Sequence, residues 1–213
     1  MKGNMARTRI KICGVRDVET AAAAAEAGAD AIGLMFVRSS PRLIMPEVAQ
    51  EIMLSLPPMV ATVGVFMNHS VDAFTDIEEQ CPTTHTQLHG NEDERLVAQC
   101  GPAIKAVRFD AATIGAELAR WEACDDVEAL LLDSPTPGGG VAFEWEQLVP
   151  LLEAVSKPIF LAGGLTPENV GEAIRVVRPY AVDVSSGVEK ERGVKDVGLI
   201  EAFCEAVREA DGE

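Results

Sequence analysis

The 213-residue sequence contains no apolar stretch that approaches the roughly 18 residues needed to span a membrane. Its beginning, Met1–Arg9, is short and polar and contains no apolar run of signal-peptide length. These absences argue against a membrane protein and predict a cytoplasmic one. We expect residues 1–8 to form a flexible N-terminal extension and residues 9–210 to form a single domain, since a chain of this length can bury one sizeable core.

The sequence also lacks the cysteine and histidine patterns of metal-binding and disulfide-rich proteins. It has five cysteines and three histidines, and no CxxC pair. A structural zinc site and a disulfide framework are therefore unexpected, and no metal is predicted. We expect four of the cysteines to be ordinary packing or surface thiols, and Cys13 to differ because of its position.

Basic residues are scarce. The chain has 18 Lys and Arg against 34 Asp and Glu, which gives a formal net charge of −16. This balance argues against nucleic acid or an anionic membrane surface as a partner, because no basic face is available to bind either. A phosphorylated ligand would then have to be bound mainly by local backbone N–H groups.

The sequence does contain a regular alternation of short apolar runs with amphipathic segments. Runs that are apolar throughout, such as the one containing Leu130, Leu131 and Leu132, are typical of parallel strands covered on both faces. Eight such strands predict an α/β protein with one closed (β/α)₈ TIM barrel. The predicted strands are Arg9–Cys13, Ala31–Phe36, Val60–Met67, Thr84–Leu88, Ile104–Arg108, Ala129–Asp133, Pro158–Ala162 and Ala181–Ser185.

The alternative architecture is an open doubly wound sheet. It would use fewer strands and carry a GxGxxG turn after the first strand, which this sequence lacks. Helices are expected between the strands, among them Trp145–Val155 and Pro167–Val177, the second of which begins with a hydroxyl cap and a proline. The active site of a TIM barrel lies at the carboxyl ends of its strands, so residues at strand ends are the candidates for chemistry.

Two titratable residues stand at such ends. Cys13 closes the first strand, and Lys11 on the same strand face would help to make its thiol, with an ordinary pKa of about 8.5, a usable base. Asp133 follows three leucines at the end of the sixth strand. A buried apolar cysteine and a turn-capping aspartate are the ordinary alternatives. A thiol and a carboxyl at one rim favour an acid–base pair.

The last two strands are followed by glycine and serine. Gly163 and Gly164 come after the seventh strand, and Ser185, Ser186 and Gly187 come after the eighth. The corresponding loops are the usual phosphate site of this architecture. Backbone N–H groups beside glycine can approach an anion closely, so the two motifs together predict a phosphate site.

Three further polar side chains follow predicted strands. Arg42, in the loop after the second strand, has a guanidinium group that could fork onto a carboxylate, although a solvated loop arginine is the alternative. His89 and Arg108 end the fourth and fifth strands and either line the mouth of the barrel or are structural. No catalytic role is predicted for His89.

Ordered motifs run along almost the whole chain. They are KICG at 11–14, GADAIGLMF at 28–36, SPR at 40–42, VGVFMN at 63–68, QLHG at 87–90, LLD at 131–133, GGLTPENV at 163–170, VDVSSGVE at 182–189 and a looser G-x-KD at 193–196. In this order the sequence resembles the phosphoribosylanthranilate isomerase family of tryptophan biosynthesis, from Arg9 to about Phe203.

The resemblance implies a ribulose-phosphate-binding barrel that performs the Amadori rearrangement of N-(5′-phosphoribosyl)anthranilate to its deoxyribulose form. It implies that Asp133 is the general acid, Cys13 the general base, Arg42 the contact to the anthranilate carboxylate, and Asp183 a neighbour of the aminoaldose. It assigns the phosphate to Gly163, Gly164, Ser185, Ser186 and Gly187. It implies a small phosphosugar as partner, no cofactor, and a monomer or homodimer.

The sequence departs from the family pattern after the sixth strand. The stretch Pro135–Trp145 is shorter than the family's usual glycine-rich loop, and Val141 and Ala142 stand where lysine and threonine are common. Three alternatives share the barrel. Indoleglycerol-phosphate synthase would want more lysine and glutamate at strand ends, a histidine-pathway aminoaldose isomerase would want aspartate in place of Cys13, and a non-catalytic phosphosugar-binding protein would not need the acid–base pair.

Overall fold

The computed structural model describes residues 7–134 and 145–212. Eight parallel strands form a closed barrel in which each strand pairs with its neighbours in chain order, and the last pairs with the first. The predicted barrel is therefore confirmed. The strands are β1 (Arg9–Cys13), β2 (Ala31–Met35), β3 (Ala61–Phe66), β4 (His85–Leu88), β5 (Ala103–Arg108), β6 (Val127–Asp133), β7 (Ile159–Leu161) and β8 (Ala181–Val184).

A helix follows each barrel strand. The helices are α1 (Val18–Glu26), α2 (Pro46–Ser55), α3 (Val71–Gln80), α4 (Glu94–Cys100), α5 (Ile114–Glu122), α6 (Val149–Leu152), α7 (Val170–Val177) and α8 (Val197–Gly212). Two short 3₁₀ helices, Trp145–Gln147 and Ser186–Val188, and a small antiparallel pair, β9 (Glu189–Glu191) and β10 (Val194–Lys195), complete the elements. Within the described ranges, no helix combines the length and apolar character that crossing a membrane requires.

Two predicted helices have different bounds in the structure. The stretch predicted as Trp145–Val155 is divided, because Pro150 has no N–H to donate and is tolerated only in a first turn, so α6 starts just before it. The helix predicted from Pro167 begins at Val170. Its entry is a turn held by Asn169, whose side chain accepts from the Thr166 N–H and donates to the Gly164 carbonyl.

The apolar core has two parts, separated by the barrel wall. Leu131 packs inside the barrel in a small cluster of aliphatic side chains, whereas Leu130 and Leu132 pack in the large cluster between strands and helices. Successive residues of a strand point to opposite faces, so both sides of β6 are apolar. This explains why the sequence of the strand is an unbroken run of leucine.

The chain termini meet beneath the barrel. The Thr8 N–H and hydroxyl both donate to the Asp211 carboxylate, at 2.7 Å each, and Arg7 pairs with Asp30. The remaining six residues of the predicted N-terminal extension, 1–6, lie outside the described residues. So do residues 135–144, which include Val141 and Ala142.

Burial predicts a measurable difference in stability between variants of a core leucine and of an exposed leucine. Leu130→Ala removes a fully buried side chain and is expected to lower the free energy of unfolding by about 2–5 kcal/mol, because it leaves a cavity. Leu54, which is 82% exposed, supplies the matched control, and Leu54→Ala should change stability by less than about 0.5 kcal/mol. Urea unfolding of both variants measures the difference; equal losses would contradict this description of the core.

Candidate active site at the carboxyl ends of the strands

A cavity of about 250 Å³ opens at the carboxyl ends of the barrel strands. Every predicted site residue except Gly187 lines it: Cys13, Arg42, Asp133, Gly163, Gly164, Asp183, Ser185 and Ser186. The parallel barrel brings these residues together from distant parts of the chain, because all of its strands end at the same rim. The cavity is also lined by Gln87 and His89, for which no role was predicted.

Cys13 lies almost fully buried at the end of β1, with Lys11 two residues earlier in the same strand. Burial raises the pKa of the Cys13 thiol above its ordinary value, and the nearby Asp183 carboxylate adds to this effect. The ammonium groups of Lys11 and Lys195 lower the pKa of the thiol without reversing the shift. The electropositive help predicted from Lys11 is therefore present, and Lys195 is a second source that the sequence analysis missed.

Lys11 is itself held in a buried ion pair. Its ammonium donates to Asp183 Oδ1 at 2.7 Å, and both side chains are almost inaccessible to solvent. Burial alone lowers the pKa of Lys11, but the Asp183 carboxylate and the Cys13 thiol outweigh that and raise it. Lys11 thus remains a fixed positive charge below the cysteine.

The strand beside Cys13 leaves room for its sulfur. Gly33 of β2 pairs with Cys13 in the register, and a Cβ at Gly33 would lie 2.7 Å from the Cys13 sulfur. Real Cβ atoms do not approach other atoms so closely, so the thiol occupies the space that a side chain at this position would need. Glycine at 33 is therefore part of the site.

Asp133, at the end of β6, is held by two hydrogen bonds. The Ser134 N–H donates to Oδ1 at 2.8 Å, and His89 Nε2 lies 3.2 Å from Oδ2. The other ring nitrogen of His89 lies 2.8 Å from the amide nitrogen of Gln87. Both residues belong to the motif QLHG at the carboxyl end of β4, and that position is the signal that could have assigned them to the site.

The loops after β7 and β8 are packed against neighbouring backbone. Gly163 and Gly164 have φ angles of 81° and 70°, a conformation that favours glycine. A Cβ at Gly163 would lie 2.3 Å from the Ser134 nitrogen, and one at Gly187 would lie 1.9 Å from the Leu165 carbonyl oxygen. Gly187 therefore lies at the contact between the two loops and does not line the cavity.

Backbone donors remain available in these loops. Across residues 7–134 and 145–212, the N–H groups of Gly163, Gly164, Ser186 and Gly187 donate to no protein acceptor. The hydroxyl of Ser185 is already engaged, since it donates to the Cys13 carbonyl at 3.0 Å. The free N–H groups form the kind of concave donor surface that binds an anion.

Arg42 reaches the cavity but is engaged with the protein. Its Nε and Nη2 donate to the Glu189 carboxylate at 2.6 and 2.9 Å, and its side chain passes over Gly14, where a Cβ would lie 2.5 Å from Arg42 Cδ. Lys195 donates to the same carboxylate at 3.0 Å and to the Ser185 carbonyl at 2.8 Å. Nη1 of Arg42 makes no hydrogen bond to any residue that the structure describes, so this edge of the guanidinium is available.

Glu189 is the centre of this cluster. Burial opposes its charge, but the hydrogen bonds from Arg42 and from the Gly193 N–H, together with Lys195, lower the pKa of the Glu189 carboxyl to about 2. Glu189 and Lys195 stand within the motifs VDVSSGVE and G-x-KD, yet the sequence alone assigned them no role. Within the part of the chain that the structure describes, no three His, Cys, Asp or Glu side chains are grouped so that they could hold a metal ion.

The chain matches known proteins over nearly its whole length. Residues 10–206 match the family described as N-(5′-phosphoribosyl)anthranilate (PRA) isomerase. The N-(5′-phosphoribosyl)anthranilate isomerase of Pseudomonas fluorescens is 47% identical, with 96% of this chain and all of that protein covered.

Solved structures give the same result. The phosphoribosylanthranilate isomerase of Thermotoga maritima superposes with a TM-score of 0.87 at 38% identity, covering 95% of this chain and 99% of that one. A phosphoribosylanthranilate isomerase in complex with reduced 1-(o-carboxyphenylamino)-1-deoxyribulose 5-phosphate superposes with a TM-score of 0.85 at 37% identity and the same coverage.

The Glu189 cluster predicts how the protein responds to acid. A carboxyl whose pKa is depressed in the folded state stabilises the fold fully above its ordinary value of 4.5, and loses that contribution as the pH falls towards about 2. Glu189→Gln should therefore lower stability at neutral pH and make the free energy of unfolding less dependent on pH across this window. Urea unfolding at a series of pH values tests this. Glu191→Gln, on the exposed end of β9, is the control and should keep the parent's slope.

Proposed function

The chain belongs to the N-(5′-phosphoribosyl)anthranilate isomerase family, and we propose that Cys13 and Asp133 perform the family's reaction in the cavity between β1 and β6. The membership confirms the isomerase function in tryptophan biosynthesis that the sequence predicted. The observation that carries the residue assignment is that a thiol and a carboxyl line one cavity together with two glycine-containing loops.

The reaction is the Amadori rearrangement of N-(5′-phosphoribosyl)anthranilate to 1-(o-carboxyphenylamino)-1-deoxyribulose 5-phosphate. In the first step the protonated Asp133 carboxyl gives its proton to the ribose ring oxygen, the bond from that oxygen to C1′ breaks, and the anthranilate nitrogen supplies the electron pair that forms the Schiff base. The Cys13 thiolate then takes the proton from C2′, which gives an enolamine. Tautomerisation of the enolamine to the ketone completes the isomerisation with no net gain or loss of atoms.

The two groups lie in unlike environments. Cys13 lies near the cations Lys11 and Lys195, which favour the thiolate form that a base requires. Asp133 makes its hydrogen bonds to His89 and to the Ser134 N–H. Neighbouring groups in unlike environments are the usual way in which one site divides acid from base.

The substrate's phosphate is proposed to bind at the loops after β7 and β8. The free N–H groups of Gly163, Gly164, Ser186 and Gly187 support this assignment, because they can bind an anion by hydrogen bonds without a cluster of lysines. Because the Ser185 hydroxyl is bonded to the Cys13 carbonyl, we assign Ser185 mainly the role of joining this loop to β1.

Arg42 and Asp183 are proposed to contact the rest of the substrate. Glu189 fixes the Nε and Nη2 edge of the Arg42 guanidinium, which leaves Nη1 to donate a charge-assisted hydrogen bond to the anthranilate carboxylate. Asp183 borders the cavity beside Cys13 and would lie next to the aminoaldose, with its charge balanced by Lys11.

We further propose that the protein works in the cytoplasm, as a monomer or a homodimer. All five cysteines are free, which is typical of a reducing compartment. The proposed chemistry consists of proton transfers, which the side chains of the site can supply themselves.

The assignment predicts the effect of removing either group. Cys13→Ala and Asp133→Asn should each lower kcat for N-(5′-phosphoribosyl)anthranilate by about 10²–10⁴-fold, the range that one positioned acid or base contributes. The measurement is the steady-state turnover of purified variants, with their thermal unfolding recorded beside it.

Matched controls are available on the same chain. Cys124→Ala removes a thiol and Asp126→Asn neutralises an exposed carboxyl, both in the connection between α5 and β6 and away from the cavity. Both controls should keep the parent's kcat. If Cys13→Ala and Asp133→Asn also turn over as fast as the parent, the residue assignment is wrong even though the fold and the family remain.

The charge environment of Cys13 predicts the pH profile. Because burial raises the pKa of the thiol and only the thiolate accepts a proton, kcat/KM should rise with pH through the alkaline range. Lys195→Met removes a cation that lowers the pKa of Cys13, so the rising limb should move to higher pH. Lys190→Met, an exposed lysine on the same β9–β10 pair, should leave the limb in place. A limb that does not move in Lys195→Met would show that Lys195 does not tune the thiol.

A further inference from the structure

Gln87 carries a buried polar atom for which the protein provides no partner. The residue lies in β4 with 1% of its surface exposed, and its side chain borders the cavity together with Cys13 and Asp133. Its amide oxygen makes no hydrogen bond to any of the described residues. Buried side-chain acceptors nearly always have a partner, so an unpaired one beside a cavity indicates that a ligand or water supplies the donor.

The amide nitrogen of Gln87 has a partner in His89. The amide nitrogen donates to His89 Nδ1 at 2.8 Å, which leaves the hydrogen of the imidazole on Nε2. His89 Nε2 can then donate to Asp133 Oδ2 at 3.2 Å. Gln87, His89 and Asp133 thus form one hydrogen-bond chain, and this chain fixes the direction in which the unpaired oxygen of Gln87 is presented.

Local packing keeps this oxygen from finding a partner within the barrel. Val65 of β3 pairs with Gln87 in the register, and the interior of the barrel below the cavity is filled by aliphatic side chains such as Val63 and Ile104. None of these three carries a side-chain donor. The oxygen therefore has no donor among these neighbours, and Gln87 itself lines the cavity, where a ligand can supply one.

We propose that Gln87 is a specificity-determining residue, whose amide oxygen accepts a hydrogen bond from a hydroxyl of the substrate's sugar chain while its amide nitrogen positions His89 and, through it, Asp133. The inference rests on the proposed function. The phosphate and the anthranilate carboxylate are acceptors, so the donors of the substrate are its sugar hydroxyls and one amine N–H; the hydroxyls are the more numerous, and deoxy ligands distinguish them from the N–H. The same amide thereby couples recognition of the sugar to the orientation of the acid.

The test measures binding of the reduced product analogue, 1-(o-carboxyphenylamino)-1-deoxyribitol 5-phosphate, and of its 2-deoxy, 3-deoxy and 4-deoxy forms. Calorimetry gives Kd for each ligand with the parent, Gln87→Leu and Gln87→Met. We expect both variants to bind the full analogue about tenfold more weakly, which is the usual effect of one lost hydrogen bond. The parent should show a similar loss with one of the three deoxy ligands, and the variants should bind that ligand as well as they bind the full analogue.

Comparing the variants with the deoxy ligands distinguishes the loss of one hydrogen bond from a general distortion of the cavity. A distorted cavity would bind all four ligands more weakly, and the effect of the variant would then not depend on which hydroxyl is missing. The inference is overturned if the variants bind the full analogue as tightly as the parent, or if their loss is independent of all three hydroxyls. Thr86→Val, on the neighbouring position of β4 and the opposite face of the strand, is the control and should bind every ligand as the parent does. Turnover of N-(5′-phosphoribosyl)anthranilate by the parent and both variants is measured in parallel. The variants should show a lower kcat at saturating substrate because His89 and Asp133 lose their positioning, and an unchanged kcat would overturn that part of the inference. Absence of turnover by the parent would refute the proposed function rather than the role of Gln87.

Discussion

The site depends first on the pairing of β1 with β8, which closes the barrel. The register of that pairing sets Lys11 opposite Asp183 and makes their buried ion pair possible. Two residues further along each strand, the Ser185 hydroxyl donates to the Cys13 carbonyl and ties the loop after β8 to the end of β1. A slip of one residue would turn each of these side chains to the other face of the sheet, so closure of the barrel and assembly of the cavity are a single event.

Basic side chains gather at the cavity although the chain as a whole is acidic. The protein carries a formal net charge of −16, yet Lys11, Arg42 and Lys195 are all gathered around this one opening. Their partners, Asp183 and Glu189, are buried with them, so each cation is held in place by a paired carboxylate. Burial costs such pairs much of their solvation, and removing one partner leaves an uncompensated charge. The composition suggested that backbone donors would have to bind a phosphate alone, whereas the structure adds buried cations nearby.

The sequence predicted the parts of the fold that follow from periodicity and direction. Apolar runs gave the eight strands, and the rule that chemistry lies at their carboxyl ends selected Cys13 and Asp133. The same rule also made His89 a candidate. Its role depends on its contact with Asp133, and the sequence could not predict that contact because Asp133 belongs to another strand. Glu189 and Lys195 are brought together by the short antiparallel pair β9–β10. No periodic pattern in the sequence predicted this pair. Pro150 divides the helix predicted over Trp145–Val155, because a proline inside a helix removes one N–H donor.

The raised pKa of the Cys13 thiol is compatible with a base, and the reason lies in how burial acts. A thiol in a dry cavity gives up its proton less readily, but the thiolate that does form takes a proton more strongly and has no water shell to shed. Lys11 and Lys195 offset part of the penalty, so the thiolate remains within reach while its basicity is kept. Asp133 stands across the cavity with an imidazole and a backbone N–H as hydrogen-bond partners. The same barrel rim thus surrounds Cys13 with cations and Asp133 with an imidazole and a backbone N–H, and unlike environments of this kind are how one site divides acid from base.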